Sequence, residues 1–213
     1  MRLLKNIRFY ILAFSVLFSI AALVAVSNFY PAGELMVIKL ERLYAFSALG
    51  FLYITLLIGP GIKVFGFIPY KSKLIHARRA LGVSAFYFVL LHSNLAFFGL
   101  LGGFGGLGYL DGRYLLAVSL SFTAELILAL MAATSFDFMV RKLTYRWWKF
   151  LHRFVYLAGT LIVIHALLIG SHYQDKFSLV ALVSFALLAF LLAVEAIAWV
   201  KYLVMRARIR RLS

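Results

Sequence analysis

Six long apolar runs, separated by short basic segments, constrain this 213-residue chain more than anything else in it. Residues 9–33 contain no Asp, Glu, Lys or Arg, and neither do residues 43–62. Residues 80–110 are likewise free of them, although the far end of that run dissolves into glycine. Residues 114–136 are interrupted only by Glu125; residues 154–174 are free of such charges, and residues 177–200 carry only Glu195, near their end. About 20 apolar residues cross the ~30 Å hydrocarbon core of a bilayer as a helix. Backbone polar groups there need internal partners, so each span should be helical. The expected fold is all-α, a single integral membrane bundle over residues 1–213. Its six transmembrane helices are expected near residues 9–30, 43–62, 80–101, 114–136, 154–174 and 177–200. The first run exceeds the apolar core of a signal peptide, which predicts an uncleaved first helix.

The charges give the bundle a direction. Of 22 Lys and Arg, 18 fall on alternate segments: the N-terminus, the loops around Lys63–Arg79 and Arg141–Arg153, and the stretch after Lys201. The opposite loops hold only Lys39, Arg42, Arg113 and Lys176, offset by Glu34, Glu41, Asp111 and Asp175. Cytoplasmic loops carry the excess of Lys and Arg, so both termini are expected in the cytoplasm. With 65% apolar residues against a soluble average of about 45–50%, the chain has no room for a large soluble catalytic domain. It has no cysteine, which removes disulfides, thiolate metal sites, iron–sulfur clusters and covalent haem attachment from consideration. Cations dispersed among membrane loops argue against nucleic acid; the basic tail Arg206–Arg211 fits anionic lipid headgroups.

Ionisable groups inside a membrane are costly and mark candidate sites. The deep ones are His92, Glu125 and His165; His152, His172 and Glu195 lie near the edges. His92 follows the last cation before its helix, Arg79, by 13 residues, and His165 follows Arg153 by 12. Both helices run outward, so at ~1.5 Å per residue each histidine lies ~18 Å along its span. Two imidazoles at one depth on parallel helices suit the two axial positions of a b-type haem. The plainer alternative is a hydrogen bond from each ring to a neighbouring carbonyl. His152 lies ~20 Å along the helix axis from His165, at the level of Arg78 and Arg79. It either pairs with His76 as a second haem site, contacts a quinone or flavin, or holds a weaker five-coordinate haem. His172, Arg113 and Lys176 are candidates for haem propionates or an outer acceptor, and Arg78 and Arg79 for cofactor contacts at the inner edge. Glu125 reads equally as a proton-relay acid or a neutral hydrogen-bonded carboxyl, and Glu195 as interfacial. Residues 103–108 match G-x-G-x-x-G, but with no strand ahead they read as a flexible turn rather than a dinucleotide site. Trp147 and Trp148 read as an inner-interface anchor.

Arg78-Arg-Ala-Leu-Gly82, His92, Arg141-Lys-Leu-Thr-Tyr-Arg146-Trp, Leu151-His152-Arg-Phe-Val-Tyr156 and Ile164-His165 together resemble the ferric-reductase-like transmembrane superfamily. Within it, the chain is most similar to the haem-binding membrane subunits of bacterial periplasmic methionine sulfoxide reductase systems. The resemblance implies a bacterial inner-membrane electron-transfer subunit rather than a complete enzyme. It implies haem b, one or two, with FMN or quinone as further cofactor candidates. The implied acceptor is a periplasmic molybdopterin-type reductase; the implied donor is a cytosolic flavin reductase or the quinone pool. Eukaryotic relatives of the superfamily place two histidines on each of helices three and five. Here helix five offers His152 and His165, whereas helix three offers His92 alone, with Arg78 at the inner position.

Three functions follow. The first is a haem-b conduit to an outer reductase, and the second a stand-alone ferric or oxygen reductase on the same core. The third is a non-redox transporter whose histidines bind metal or protons; its three prolines, 31, 60 and 69, all lie near span ends rather than breaking helices at the midplane.

Overall fold

The computed structural model describes residues 2–170 and 178–212. Among them all regular structure is helical: α1 (Arg2–Phe29), α2 (Glu34–Val64), α3 (Lys71–Asn94), a π-helical turn (Leu95–Leu100), α4 (Phe104–Leu107), α5 (Gly112–Ala133), α6 (Asp137–Lys142), α7 (Thr144–His152), α8 (Val155–Ile169) and α9 (Leu179–Leu212). Six stretches are long and apolar enough to span a membrane: Ile7–Phe29, Glu34–Val64, Lys71–Leu100, Gly112–Ala133, Thr144–Ile169 and Leu179–Ala207. The chain is a multi-pass membrane protein of all-α fold.

Several boundaries differ from the apolar runs, for one physical reason: charge marks where lipid ends, not where a helix ends. Helix α2 starts at Glu34 rather than at residue 43, because the stripe Leu40, Tyr44, Ala48, Leu52 and Leu56 keeps its four-residue period through Lys39, Glu41 and Arg42. Helix α3 likewise starts at Lys71 rather than at residue 80, with Ala77 already buried. The fifth span divides at Arg153–Phe154 into α7 and α8, and α8 runs to Ile169 with Gly170 as its cap; residues 171–174 of the expected span lie outside the described residues. The sixth span continues to Leu212, so the basic tail is a helix extension. Helix α5 ends at Ala133, ahead of the expected 136. It starts cleanly because Asp111 caps it, accepting from the Tyr114 backbone N–H at 2.9 Å.

Long-range polar contacts define the two ends of the bundle. At the basic end Asp137 bridges Arg8 (3.1 Å) and Arg79 (2.8 Å), and Lys201 donates to the Val64 carbonyl at 3.0 Å. Helices α1, α2, α3, α6 and α9 therefore meet there. The Arg8 hydrogen bond holds the Asp137 carboxyl below the usual carboxylate range. The charges of Arg8, Arg79 and Arg141 add to this against a smaller opposing effect of burial. A lowered folded-state pKa means the stabilisation is present above the unfolded value of about 3.9 and is lost as pH falls through the lower folded value. Asp137→Asn should therefore lower stability at neutral pH by no more than about 1 kcal/mol, since the side chain is half exposed. The variant's melting temperature should also vary less with acid than that of wild type; equal acid sensitivity in the two proteins would contradict this assignment.

Two clusters hold the interior. Phe88, fully buried, lies against Phe18, Tyr44, Phe51 and Tyr87, with ring centroids 5.3–6.0 Å away. Polar links reinforce it: Ser15 donates to Ser84 at 2.7 Å, Ser19 pairs with the Tyr87 hydroxyl at 2.7 Å, and Tyr44 donates to the Ser19 carbonyl at 2.9 Å. In a bilayer, where lipid is as apolar as leucine, such packing and interhelical hydrogen bonds hold helices together. The second cluster joins Leu52, Leu56, Ala85, Ala124, Leu128, Val155, Ala158 and Leu191 across five helices. Its small residues let backbones approach around the region that carries the histidines.

Candidate haem-binding site

His92 lies near the end of α3, just before the π-helical turn. π-Turns inside helices occur frequently at functional sites. This one packs against α2 because position 99 is glycine: a Cβ there would lie 2.8 Å from Val37 Cγ1. The His92 ring directs Nδ1 at α2, 2.9 Å from Glu41 Oε1 and 3.4 Å from the Glu41 carbonyl. His165, on α8, directs Nδ1 at the Ala117 carbonyl of α5, at 2.9 Å. Carboxylates and carbonyls only accept, so Nδ1 is the donor in both contacts, and in a neutral ring Nε2 is then the nitrogen with the lone pair. No described residue hydrogen-bonds to either Nε2. Metal-ligating histidines are held in this way, with the far N–H anchored on an oxygen.

The two rings belong to one cluster. His165, His92 and Glu41 lie within electrostatic range of one another, and so do His92 and Glu125. Ser93, next to His92, donates to Glu125 Oε1 at 3.1 Å. Helices α3 and α8 both pack on α5, and residues of all three share the cluster around Ala85, Ala124 and Ala158. Two imidazoles whose Nε2 atoms have no partner among the described residues thus stand on helices that share one neighbour. This donor set fits the axial positions of a haem iron. Among the described residues no group of three His, Cys, Asp or Glu comes together as a protein-only metal cage.

The inner edge is built differently. His152 ends α7, its Nδ1 is 3.0 Å from the Trp148 carbonyl one turn back, and its Nε2 lies 3.5 Å from Ser135 Oγ. The Trp148 ring covers it at 4.1 Å. The Trp148 Nε1–H donates to the Thr134 carbonyl at 3.1 Å, and the Arg79 guanidinium lies over its ring at 5.1 Å. Trp147 is exposed. The His76 ring bonds the Ser72 carbonyl of its own helix at 2.7 Å through Nδ1. Arg79 is engaged by Asp137 at 2.8 Å and by the Trp148 ring. Arg78 lays its guanidinium beside Gly59, where a Cβ would come within 3.2 Å of Nη1. Arg113 lies over the Tyr114 ring at 5.5 Å, and Glu195 accepts from the Tyr156 hydroxyl at 2.8 Å. His172 and Lys176 lie outside the described residues.

The glycine-rich stretch forms a turn that leads into α4. Gly102 and Gly103 take φ of +74° and +73°, and the Gly103 N–H bonds the Phe97 carbonyl at 2.8 Å. It follows a π-turn rather than a strand, so it has none of the context of a dinucleotide site. On the basic end a shallow cavity of about 400 Å³ is lined by Tyr145, Arg146, Lys149, Phe150 and Arg153.

Two participants escape a reading of the sequence. Glu41 looks like one more loop charge until the stripe of α2 is followed back past it. The Ala117 contact is made by a backbone carbonyl, for which no side chain gives a signal.

The sequence is similar to a known relative over part of its length. It is 33% identical over 136 residues to the protein-methionine-sulfoxide reductase heme-binding subunit MsrQ of Pasteurella multocida (strain Pm70). That match covers 60% of this chain and 59% of the relative, so the chain spans under two thirds of the protein it resembles. The profile described as ferric reductase like transmembrane component matches residues 43–163, a stretch running from α2 into α8 that contains His92, His152 and Glu125. On that match, the chain belongs to the ferric-reductase-like transmembrane family.

Proposed function

We propose that this chain is a haem-binding membrane subunit that carries single electrons across the bilayer, with one b-type haem between His92 and His165. The observation that carries the reading is the pair of rings anchored through Nδ1 on α2 and α5, with Nε2 of each left as a donor. When bound, the haem supplies one-electron chemistry, whose potential is set by axial ligands, hydrogen bonding and burial. The protein supplies position and exclusion. Ala117 and Glu41 fix the two rings, the packing around Ala85, Ala124 and Ala158 keeps water out, and no bond-making group is required.

His152 has a separate role in this proposal. With Trp148 against its face and Ser135 at its Nε2, it belongs to the inner polar network rather than to a second haem. Arg78, at the position where a second ligand would stand, is folded against Gly59. The cavity lined by Arg146, Lys149 and Arg153 suits a donor with oxygen acceptors at the basic face, either the phosphate-bearing flavin of a soluble reductase or a quinol headgroup. We place that face in the cytoplasm and both termini with it, the membrane being the bacterial inner membrane. The relative is the heme-binding subunit of a protein-methionine-sulfoxide reductase. A periplasmic reductase of that kind, of molybdopterin type, is the acceptor we propose.

Reconstituted vesicles test the direction and the partner. With the purified chain in liposomes and reduced flavin or quinol supplied at the basic face, electrons should reach an added methionine sulfoxide reductase on the opposite side. Transfer to ferric chelates or oxygen that outpaces the added reductase would favour the stand-alone reductase. No transfer from a haem-loaded chain to any acceptor would overturn the conduit.

A further inference from the structure

The two rings are backed unequally. His165 is held by a neutral backbone carbonyl, His92 by a carboxylate. Glu41 reaches His92 from α2, half-buried, with its own carbonyl at 3.4 Å as a second, longer acceptor. Its carboxylate makes no other ion pair among the described residues. Helix α2 holds it in place through the buried neighbours Leu40 and Tyr44 on the same turn. The geometry is that of a carboxylate–histidine pair, in which the oxygen fixes ring orientation and raises the basicity of the far nitrogen.

We infer that Glu41 is a positioning residue for His92 that sets the redox asymmetry of the site, lowering the haem potential through the Nδ1 hydrogen bond. The inference rests on the haem reading above. A hydrogen bond to a full negative charge is roughly twice as strong as a neutral one, and it gives the imidazole partial imidazolate character. Such a ligand donates more to iron and favours the ferric over the ferrous form. A low potential suits a subunit that must pass electrons onward rather than retain them. The rotamer of His92 depends on the same contact, so the ring plane and the potential are set together.

Spectroelectrochemical titration of Glu41→Gln and Glu41→Asp in the purified full chain tests this, alongside low-temperature EPR of the ferric forms. Glu41→Gln keeps an acceptor but removes the charge. With about tenfold, the low end of what losing such a partner costs in metal affinity, taken as the scale of its preference between oxidation states, it should favour the ferrous form about tenfold more than wild type. That is an upward shift of about 59 mV for a one-electron couple. Its low-spin EPR signal should move with it. Glu41→Asp should recover most of the wild-type potential, and it should recover haem binding if Glu41→Gln loses it. Haem-replete Glu41→Gln with an unchanged potential and EPR signal would overturn the inference while leaving the haem reading intact. So would loss of haem in Glu41→Gln that Glu41→Asp does not restore. A wild-type chain that takes up no haem would overturn both.

Discussion

His92→Ala and His165→Ala should each abolish the low-spin b-type spectrum of the purified chain, while His152→Ala keeps it at full haem stoichiometry. The argument is one of donor geometry. His92 and His165 each anchor Nδ1 on an oxygen, so each has a single lone pair to offer, at Nε2. Removing the oxygen partner behind a metal ligand already costs about 10–100-fold in affinity. Removing the ligand itself costs more and leaves iron five-coordinate or unbound. His152 instead has Ser135 Oγ at 3.5 Å from Nε2 and an indole against its face. Its loss should slow electron delivery from the basic face without changing the low-spin bands. Haem content is read by pyridine haemochrome and spin state by the optical spectrum. A His165→Ala protein with unchanged low-spin bands would contradict the axial assignment; halved haem content in His152→Ala would establish a second haem.

Phe88→Ala should be the most damaging substitution away from the histidines, at about 3 kcal/mol or more. Its ring is completely buried and shares faces and edges with four other aromatic rings on α1, α2 and α3. Phe→Ala in soluble cores costs about 3–5 kcal/mol from lost transfer energy and the cavity left behind. Within a lipid-solvated bundle the transfer part shrinks, but the lost contacts remain, and packing is the main force between membrane helices. The same cavity would lie one turn from His92 along α3, so haem retention should fall with stability. Phe88→Leu refills most of the space and should cost under about 1.5 kcal/mol. Thermal unfolding in detergent, followed by the haem band and by circular dichroism, measures both. Near-equal melting temperatures for Phe88→Ala and wild type would show that this cluster does not hold α1, α2 and α3 together.

How far the sequence led depended on what each feature must satisfy. The six spans could be read because lipid demands an unbroken apolar surface, and Phe9, Leu17, Leu126 and Leu192 duly remain exposed on the helix exteriors. Span boundaries could not, because Glu34, Lys39 and Lys71 are good helix residues that simply lie beyond the apolar window. His92 and His165 stood out because a polar ring is rare inside a membrane, and counting from Arg79 and Arg153 placed them at one depth. The two rings lie within electrostatic range of each other. Their anchors were hidden for two different reasons. Glu41 lies among charges of both signs that read as loop, and Ala117 contributes only its backbone. The stacking of Trp148 on His152 leaves no signal in the sequence, because an interfacial tryptophan and one stacked on a histidine have the same basic neighbours in the chain. His76 lies near Arg78 and Arg79 in the chain, but α3 turns it toward its own Ser72 carbonyl.

The central claim is that two imidazoles hold one haem inside the bundle, and ferric EPR of the wild-type chain, purified from haem-replete membranes, tests it most directly. The account predicts one haem per chain and a low-spin ferric signal of two axial imidazoles. A colourless protein, or a haem that is entirely high-spin and five-coordinate, would contradict it.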